Sequence, residues 1–194
     1  SVGVTGVQTC ALPIWIVMPA LTTARLICSP LQEQDWPFFL SLQQNPEVMR
    51  FVAPARSEAD IREAFESRLL PWTPGSSHWL CLVVRETASQ TPLGVTGYVH
   101  READCAEVGF LFAPSAQGKG YGFESLRVVC DFALTQGNIR RLTATVTAGN
   151  IASRRLLEKT GFQLEGELRE SYFLSGQWHN DWLFGLLKKE FPFS

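Results

Sequence analysis

The chain has 194 residues, 45% hydrophobic and 19% charged, with a formal net charge of -2 at pH 7. That balance marks a folded globular protein with a substantial core, and it excludes a disordered chain. It argues against broad electrostatic binding to nucleic acid, and no apolar run approaches the roughly 20 residues that a membrane-spanning helix needs. The cysteines Cys10, Cys28, Cys81, Cys105 and Cys130 form no C-x-x-C pair. They read as buried thiols in a reducing compartment, so a cytoplasmic location is expected. The histidines His78, His100 and His179 show no ligand spacing, and no metal site is expected.

Residues 1–17 carry no charge. Their stretch from Val4 to Ile14 can be spelled codon by codon by the reverse complement of a common sequencing-library adapter. We expect residues 1–17 to be a non-native leader and Met18 to be the first native residue, with 18–194 forming a single domain.

In chain order, Arg25 to Leu31 reads as a first strand, with Pro30 marking an edge or an end. Trp36, Phe39, Leu40 and Leu42 fit a short amphipathic helix over Gln34 to Gln44, ended near Asn45-Pro46. Ser57 and Asp60 resemble a capping box that opens a helix carrying Ile61, Ala64, Phe65 and Leu69. After Pro71, Pro74 and Gly75 the period becomes strand-like. His78 to Arg85, Leu93 to His100 and Cys105 to Phe112 read as an antiparallel meander. Gln117-Gly118-Lys119-Gly120-Tyr121-Gly122 follows, and Phe123, Leu126, Val129, Cys130 and Ala133 then take helical period. Leu142 to Thr147 is a strand. Asn150 opens a helix that Gly161 stops. Phe162 to Leu174 and Gln177 to Leu187 form a last hairpin around Ser175-Gly176. The class is α+β, with helices on a largely antiparallel sheet.

A strand, a glycine turn and a helix start make an anion cradle. Glycines let the backbone approach a ligand, and the first amides of the helix lack internal partners. The spacing alone also fits an ordinary connection. A P-loop is disfavoured, because Lys119 is not followed by Ser or Thr.

The order of motifs is more specific. The loop with Gly120 and Gly122, the later Asn150-Ile151-Ala152-Ser153-Arg154-Arg155-Leu156-Leu157-Glu158-Lys159-Thr160-Gly161-Phe162, and the hairpin with Gly176, Trp178 and Asp181 resemble the GCN5-related N-acetyltransferases (GNAT). The Asn150 string and Thr23-Ala24-Arg25-Leu26 look like the RimJ/RimL-type branch, which acetylates protein N-termini. The resemblance spans about Met18 to Phe191. It implies a mostly antiparallel mixed sheet, splayed between Val108–Phe112 and Leu142–Thr147, with helices on both faces. It implies acetyl-coenzyme A as co-substrate and an amine acceptor, favoured as a protein N-terminus over a small molecule, with no nucleic-acid or membrane partner. It admits a homodimer. A non-catalytic coenzyme A-binding module is the reading from a different class.

The resemblance also implies site residues. Amides from Gln117, Gly118, Lys119, Gly120, Tyr121 and Gly122 would hold the pyrophosphate. Pantetheine would add along Phe110, Leu111 and Phe112, with a backbone N–H near Leu111 stabilising the oxyanion. Lys119, Arg140, Arg141, Arg154 and Arg155 could pair with phosphate or form an exposed basic face. Asn150 would bond the pantetheine amide or cap its helix. Ser153 and Tyr172 are rival donors to the departing thiolate. Glu107 is the first candidate base, with Glu170 near Tyr172, and Asp181 would orient the amine or fix the hairpin.

Overall fold

The computed structural model describes residues 18–193, so the leader expected at 1–17 lies outside the described residues. The chain runs β1 (Leu21–Thr22), β2 (Leu26–Pro30), α1 (Trp36–Gln44), α2 (Pro46–Met49), α3 (Glu58–Leu69), β3 (Leu80–Glu86), β4 (Pro92–Arg101) and β5 (Cys105–Phe112). It continues through α4 (Tyr121–Thr135), β6 (Arg141–Thr147), α5 (Ile151–Thr160), β7 (Gln163–Leu174) and β8 (Gln177–Leu187). The strands form one eight-stranded sheet in the order β1-β2-β3-β4-β5-β6-β8-β7. Every neighbouring pair is antiparallel except β5 with β6. Among the described residues, no helix is long and apolar enough to cross a membrane.

Two short elements escape the sequence pattern. β1 has two residues, too few for a period. α2 begins where the helix stop was expected. Asn45 ends α1, and its side chain accepts from the amides of Glu47 and Val48, while Pro46 takes the first helical position. One Asn-Pro pair thus closes one helix and opens the next.

The period-two pattern of the strands divides the core into two layers. Ala106, Val108, Leu142, Ala144 and Phe184 face α4 and α5, meeting Leu126, Val129, Cys130 and Leu157 in the larger core. Cys81, Val83 and Val95 face the opposite way, onto Phe39 and Leu42 of α1 and Ile61 and Phe65 of α3. Full burial of each such large side chain stabilises the fold by about 1.5–3 kcal/mol.

The parallel pairing of β5 with β6 is short. It covers Cys105 with Arg141, Ala106 with Leu142 and Glu107 with Thr143. Beyond that point β5 remains paired to β4 as far as Phe112, and β6 remains paired to β8 as far as Thr147. The sheet therefore opens in its middle, as the sequence implied.

Gly97 lies in the floor beside this opening, opposite Cys81 on one side and Gly109 on the other. A Cβ there would sit 1.8 Å from the Leu80 carbonyl oxygen, in backbone that cannot swing aside. Gly97→Ala is expected to lower unfolding free energy by about 3 kcal/mol, measured by urea unfolding, because the β3–β4 ladder must shift.

Candidate active site

Two features bound the opening: the glycine loop before α4 and the start of α5. In the loop, Gly118 and Gly120 take left-handed φ values of 75° and 82°, which L side chains rarely adopt. The first helical hydrogen bond is from Glu124 N–H to the Gly120 carbonyl, 3.1 Å. Among the described residues, the amides of Gly118, Lys119, Gly120, Tyr121, Gly122 and Phe123 donate to no protein acceptor. A run of free donors at the positive end of a helix is an anion site in search of its ligand. Gly122 has a second reason to lack a side chain. A Cβ there would lie 3.0 Å from Leu156, where α4 passes α5.

The loop is tied down from β1 and β2. Glu124, in the first turn of α4, accepts from the Thr23 hydroxyl, from the Arg25 amide at 2.9 Å and from Arg25 Nε at 2.7 Å. The Arg25 guanidinium also donates to the Lys119 carbonyl at 3.1 Å and lies 4.6 Å over the Tyr121 ring. The Tyr121 hydroxyl donates to Glu86 at 2.9 Å. Burial alone would raise the Glu124 carboxyl, but the hydrogen bonds from Thr23 and Arg25 outweigh it and hold it below its ordinary value. The loop's shape is thus set by hydrogen bonds of its own chain.

Strand alternation decides which amides face the opening. The Ala113 N–H donates to the Leu93 carbonyl at 2.9 Å, in the same register that opposes Leu111 to Val95. In an antiparallel ladder these bonds recur at every second residue. Leu111 N–H is therefore turned toward β4, and the amides of Phe110 and Phe112 point across the gap toward β6. The gap-facing amides near Leu111 are thus those of Phe110 and Phe112.

On the other wall, Asn150 caps α5, its Oδ1 accepting from the Ser153 amide at 3.2 Å. The cap occupies the carbonyl oxygen and leaves the side-chain amide N–H groups for another partner. The Ser153 hydroxyl is half-buried and bonds to nothing among the described residues.

Two cavities of similar size meet here. One, of about 460 Å³, is lined by the glycine loop, Phe110, Leu111, Phe112, Asn150 and Ser153, with Arg155 and Lys159 at its edge. The other, of about 450 Å³, lies under α1 and α3 and includes Phe39, Arg68, Trp79, Cys81, Glu107, Tyr172 and Asp181. Phe51, Val52, Phe110, Leu111, Asn150 and Ser153 line both. Ser153 stands at this junction, whereas Tyr172 belongs to the second cavity alone.

The remaining expected residues sort by their contacts. The Tyr172 hydroxyl donates to the Val52 carbonyl at 2.8 Å, fastening β7 to the segment after α2. Glu107 uses one oxygen to bind Arg101 at 2.7 Å. Asp181 accepts from Ser171 at 2.8 Å and from Thr147 at 3.4 Å. Glu170 lies outside both cavity linings, its amide bonded to Asn180 at 2.9 Å. Arg140 donates to the Ala103 carbonyl, Arg141 pairs with Glu165, and Arg154 pairs with Glu158 over the Trp182 ring. Among Arg140, Arg141, Arg154 and Arg155, only Arg155 lines the first cavity, which Arg50 also lines. Burial pushes the Cys28 and Cys81 thiols up to about 12 and raises Cys130 further, so all three stay protonated near neutrality. The sequence reading missed Arg68, one apparently ordinary charge on a helix, and Glu124, whose only signal is its place one turn past the glycines.

The fold agrees with comparison to known proteins. The acetyltransferase (GNAT) domain family matches residues 25–163, and the chain belongs to that family. An uncharacterized N-acetyltransferase, p20 of Bacillus licheniformis, is 26% identical over 178 residues, 90% of this chain and 99% of that one. A spermidine N-acetyltransferase from Vibrio cholerae, solved with CoA and spermine, superposes with a TM-score of 0.76 at 22% identity, covering 87% of this chain and 98% of that one. RimL, a ribosomal L7/L12 α-N-protein acetyltransferase solved with coenzyme A, gives 0.76 at 19% identity, again over 87% and 98%. The protein is an N-acetyltransferase of the GNAT type.

A lowered carboxyl pKa makes stability pH-dependent. Glu124 contributes fully above its ordinary value, and the contribution fades as pH falls through its lower folded value. Glu124→Gln is expected to lower the melting temperature at neutral pH, with the deficit shrinking below about pH 4. Thermal unfolding of both proteins across pH checks this.

Proposed function

We propose that the protein transfers the acetyl group of acetyl-coenzyme A directly to the α-amine of a protein or peptide N-terminus, with both substrates bound together. The carrying observation is that two cavities meet at the β5–β6 opening and share Phe110, Leu111, Asn150 and Ser153 in their linings. The free amides from Gly118 to Phe123 fit a pyrophosphate. Arg155 and Lys159 supply positive charge at that cavity's edge.

Within this arrangement the Asn150 side-chain amide and the gap-facing amides of Phe110 and Phe112 take the place of a missing neighbouring strand for pantetheine. One of those two backbone amides donates to the carbonyl oxygen as negative charge develops on it. The amine nitrogen forms a bond to the acyl carbon, and the carbon–sulfur bond breaks. Glu107 receives the amine's proton through water on its oxygen not bound to Arg101. The Ser153 hydroxyl donates to the departing sulfur and recovers its proton from solvent. Tyr172, committed to the Val52 carbonyl, positions the wall of the acceptor cavity. The protonated cysteine thiols favour direct attack over an acylated cysteine.

Relatives include a spermidine N(1)-acetyltransferase of Escherichia coli and RimL. A polyamine acceptor is the second reading, supported by the carboxylates of Glu107 and Asp181 in the acceptor cavity. Arg68 in the same cavity weighs against it.

Gly120→Val is expected to weaken acetyl-coenzyme A binding by at least about tenfold in calorimetry, since valine resists a left-handed φ and crowds the amides. Unchanged affinity would remove the glycine loop from the cofactor site. Ser153→Ala should lower kcat by about ten- to a hundredfold, with acetyl-coenzyme A affinity retained. Thiol release should require a free α-amine on the peptide, and equal rates with N-terminally blocked peptides would reject the acceptor assignment.

A further inference from the structure

The acceptor cavity holds one cation whose position the reaction above does not explain. Arg68 sits in the last turn of α3 and lines the cavity wall beside Cys81 and Phe39. One of its N–H groups donates to the Ala64 carbonyl at 2.7 Å, and its guanidinium lies 5.8 Å over the Phe39 ring. Among the described residues it pairs with no carboxylate, unlike Arg25, Arg62, Arg85, Arg101, Arg141 and Arg154. The remaining donors of its planar fork have no protein acceptor. Desolvation lowers its pKa, Cys81 partly opposes that shift, and Arg56 adds to it. Arg56 is itself held at 2.5 Å by Gln43, which lines the same cavity. A half-buried guanidinium without an anion is costly to desolvate, and a bound anion would offset that cost.

The cavity is therefore polar along its length. Glu107 and Asp181 lie toward the β5–β6 opening and β8, where the amine arrives. Arg68 lies at the β3 side. Cys81, Gly97 and Gly109 form one cross-strand column between these ends. Two strand spacings put Cys81 and Gly109 about 10 Å apart. The Trp79 ring overhangs this floor, because Gly109 has no side chain in its way.

We propose that Arg68 binds a carboxylate of the acceptor, so that the preferred substrate is an acidic N-terminal peptide with the carboxylate one to three residues beyond its α-amine. At about 3.5 Å per extended residue, that spacing is on the scale of the Cys81–Gly109 width of the cavity floor, whereas the carboxylate of a free α-amino acid lies much closer to its amine. A fork of N–H donors suits a carboxylate by bidentate bonding. A polyamine would instead place a second cation against Arg68. This inference rests on the acetyltransferase reading above.

The test compares matched short peptides with a free α-amine. One set carries Asp or Glu at the second or third position, with an amidated C-terminus. A second set carries Asn or Gln there, and a third is a neutral tripeptide with a free C-terminal carboxylate. Spermidine serves as the cationic probe. The wild-type protein should show a KM about tenfold or more lower for acidic peptides than for their amide counterparts, the scale of one charge-assisted hydrogen bond. Comparing the first and third sets tells a side-chain carboxylate from a terminal one. In Arg68→Gln that preference should collapse through KM, with kcat for amide peptides, acetyl-coenzyme A affinity and melting temperature near wild type. Arg68→Lys should restore part of it. Equal kcat/KM for acidic and amide peptides in wild type overturns the inference while leaving acetyl transfer intact. So does an acidic preference that survives in Arg68→Gln, or spermidine as the best acceptor. Absence of turnover with every acceptor, with acetyl-coenzyme A still bound, overturns the acetyltransferase reading and this inference together. If Arg68→Gln does not fold, Arg68→Lys decides: an acidic preference reduced from wild type supports the inference, and one as large as wild type overturns it.

Discussion

The site depends on a parallel strand pair that stops too soon. β5 and β6 are joined only from Cys105–Arg141 to Glu107–Thr143, and then each strand follows its other neighbour. Neither strand can close the gap without breaking a ladder: β5 is held by β4 through Phe112, and β6 by β8 through Thr147. Backbone amides at Phe110 and Phe112 are left facing the gap, where β5 has no strand partner beyond Glu107 on that side. Unpaired interior donors are expensive in water-poor surroundings, so their persistence implies a partner that supplies acceptors. On the proposed reading, the defect in the sheet is the binding site.

A second constraint fixes what meets at that defect. The glycine loop could adopt many shapes, but Glu124 gathers Thr23 and Arg25 and, through Arg25, the carbonyl of Lys119. The N-terminal strands therefore shape a loop far from them in sequence. Asn150 does the corresponding work across the gap, capping α5 so that Ser153 stands in its first turn. Preorganised donors of this kind need no rearrangement when charge develops beside them.

Much of this was legible in the sequence, and the parts that were not have physical reasons. Strand periods located the meander and the final hairpin, because alternation is a local property. The Gly120 loop and the Asn150 helix start were visible for the same reason. Asn45-Pro46 was read as a stop although it also opens α2, since one residue can end one helix and cap another. A backbone N–H near Leu111 was expected as the oxyanion donor, but only register with Val95 shows which amides there turn outward. Sequence alone left Tyr172 and Ser153 as rivals, and only tertiary contacts distinguish their surroundings: the Tyr172 hydroxyl is bonded to Val52, and the Ser153 hydroxyl bonds to nothing among the described residues. Arg68 carried no signal at all, because its meaning lies in the carboxylate it lacks.

The central claim is that donor and acceptor occupy their two cavities at once and react across the gap without an enzyme-bound acyl group. Initial-rate kinetics with both substrates varied tests it most directly. The account predicts intersecting double-reciprocal lines and no acetylated protein when acetyl-coenzyme A is supplied alone. Parallel lines, together with a protein that gains one acetyl group by intact mass before any amine is added, would contradict it.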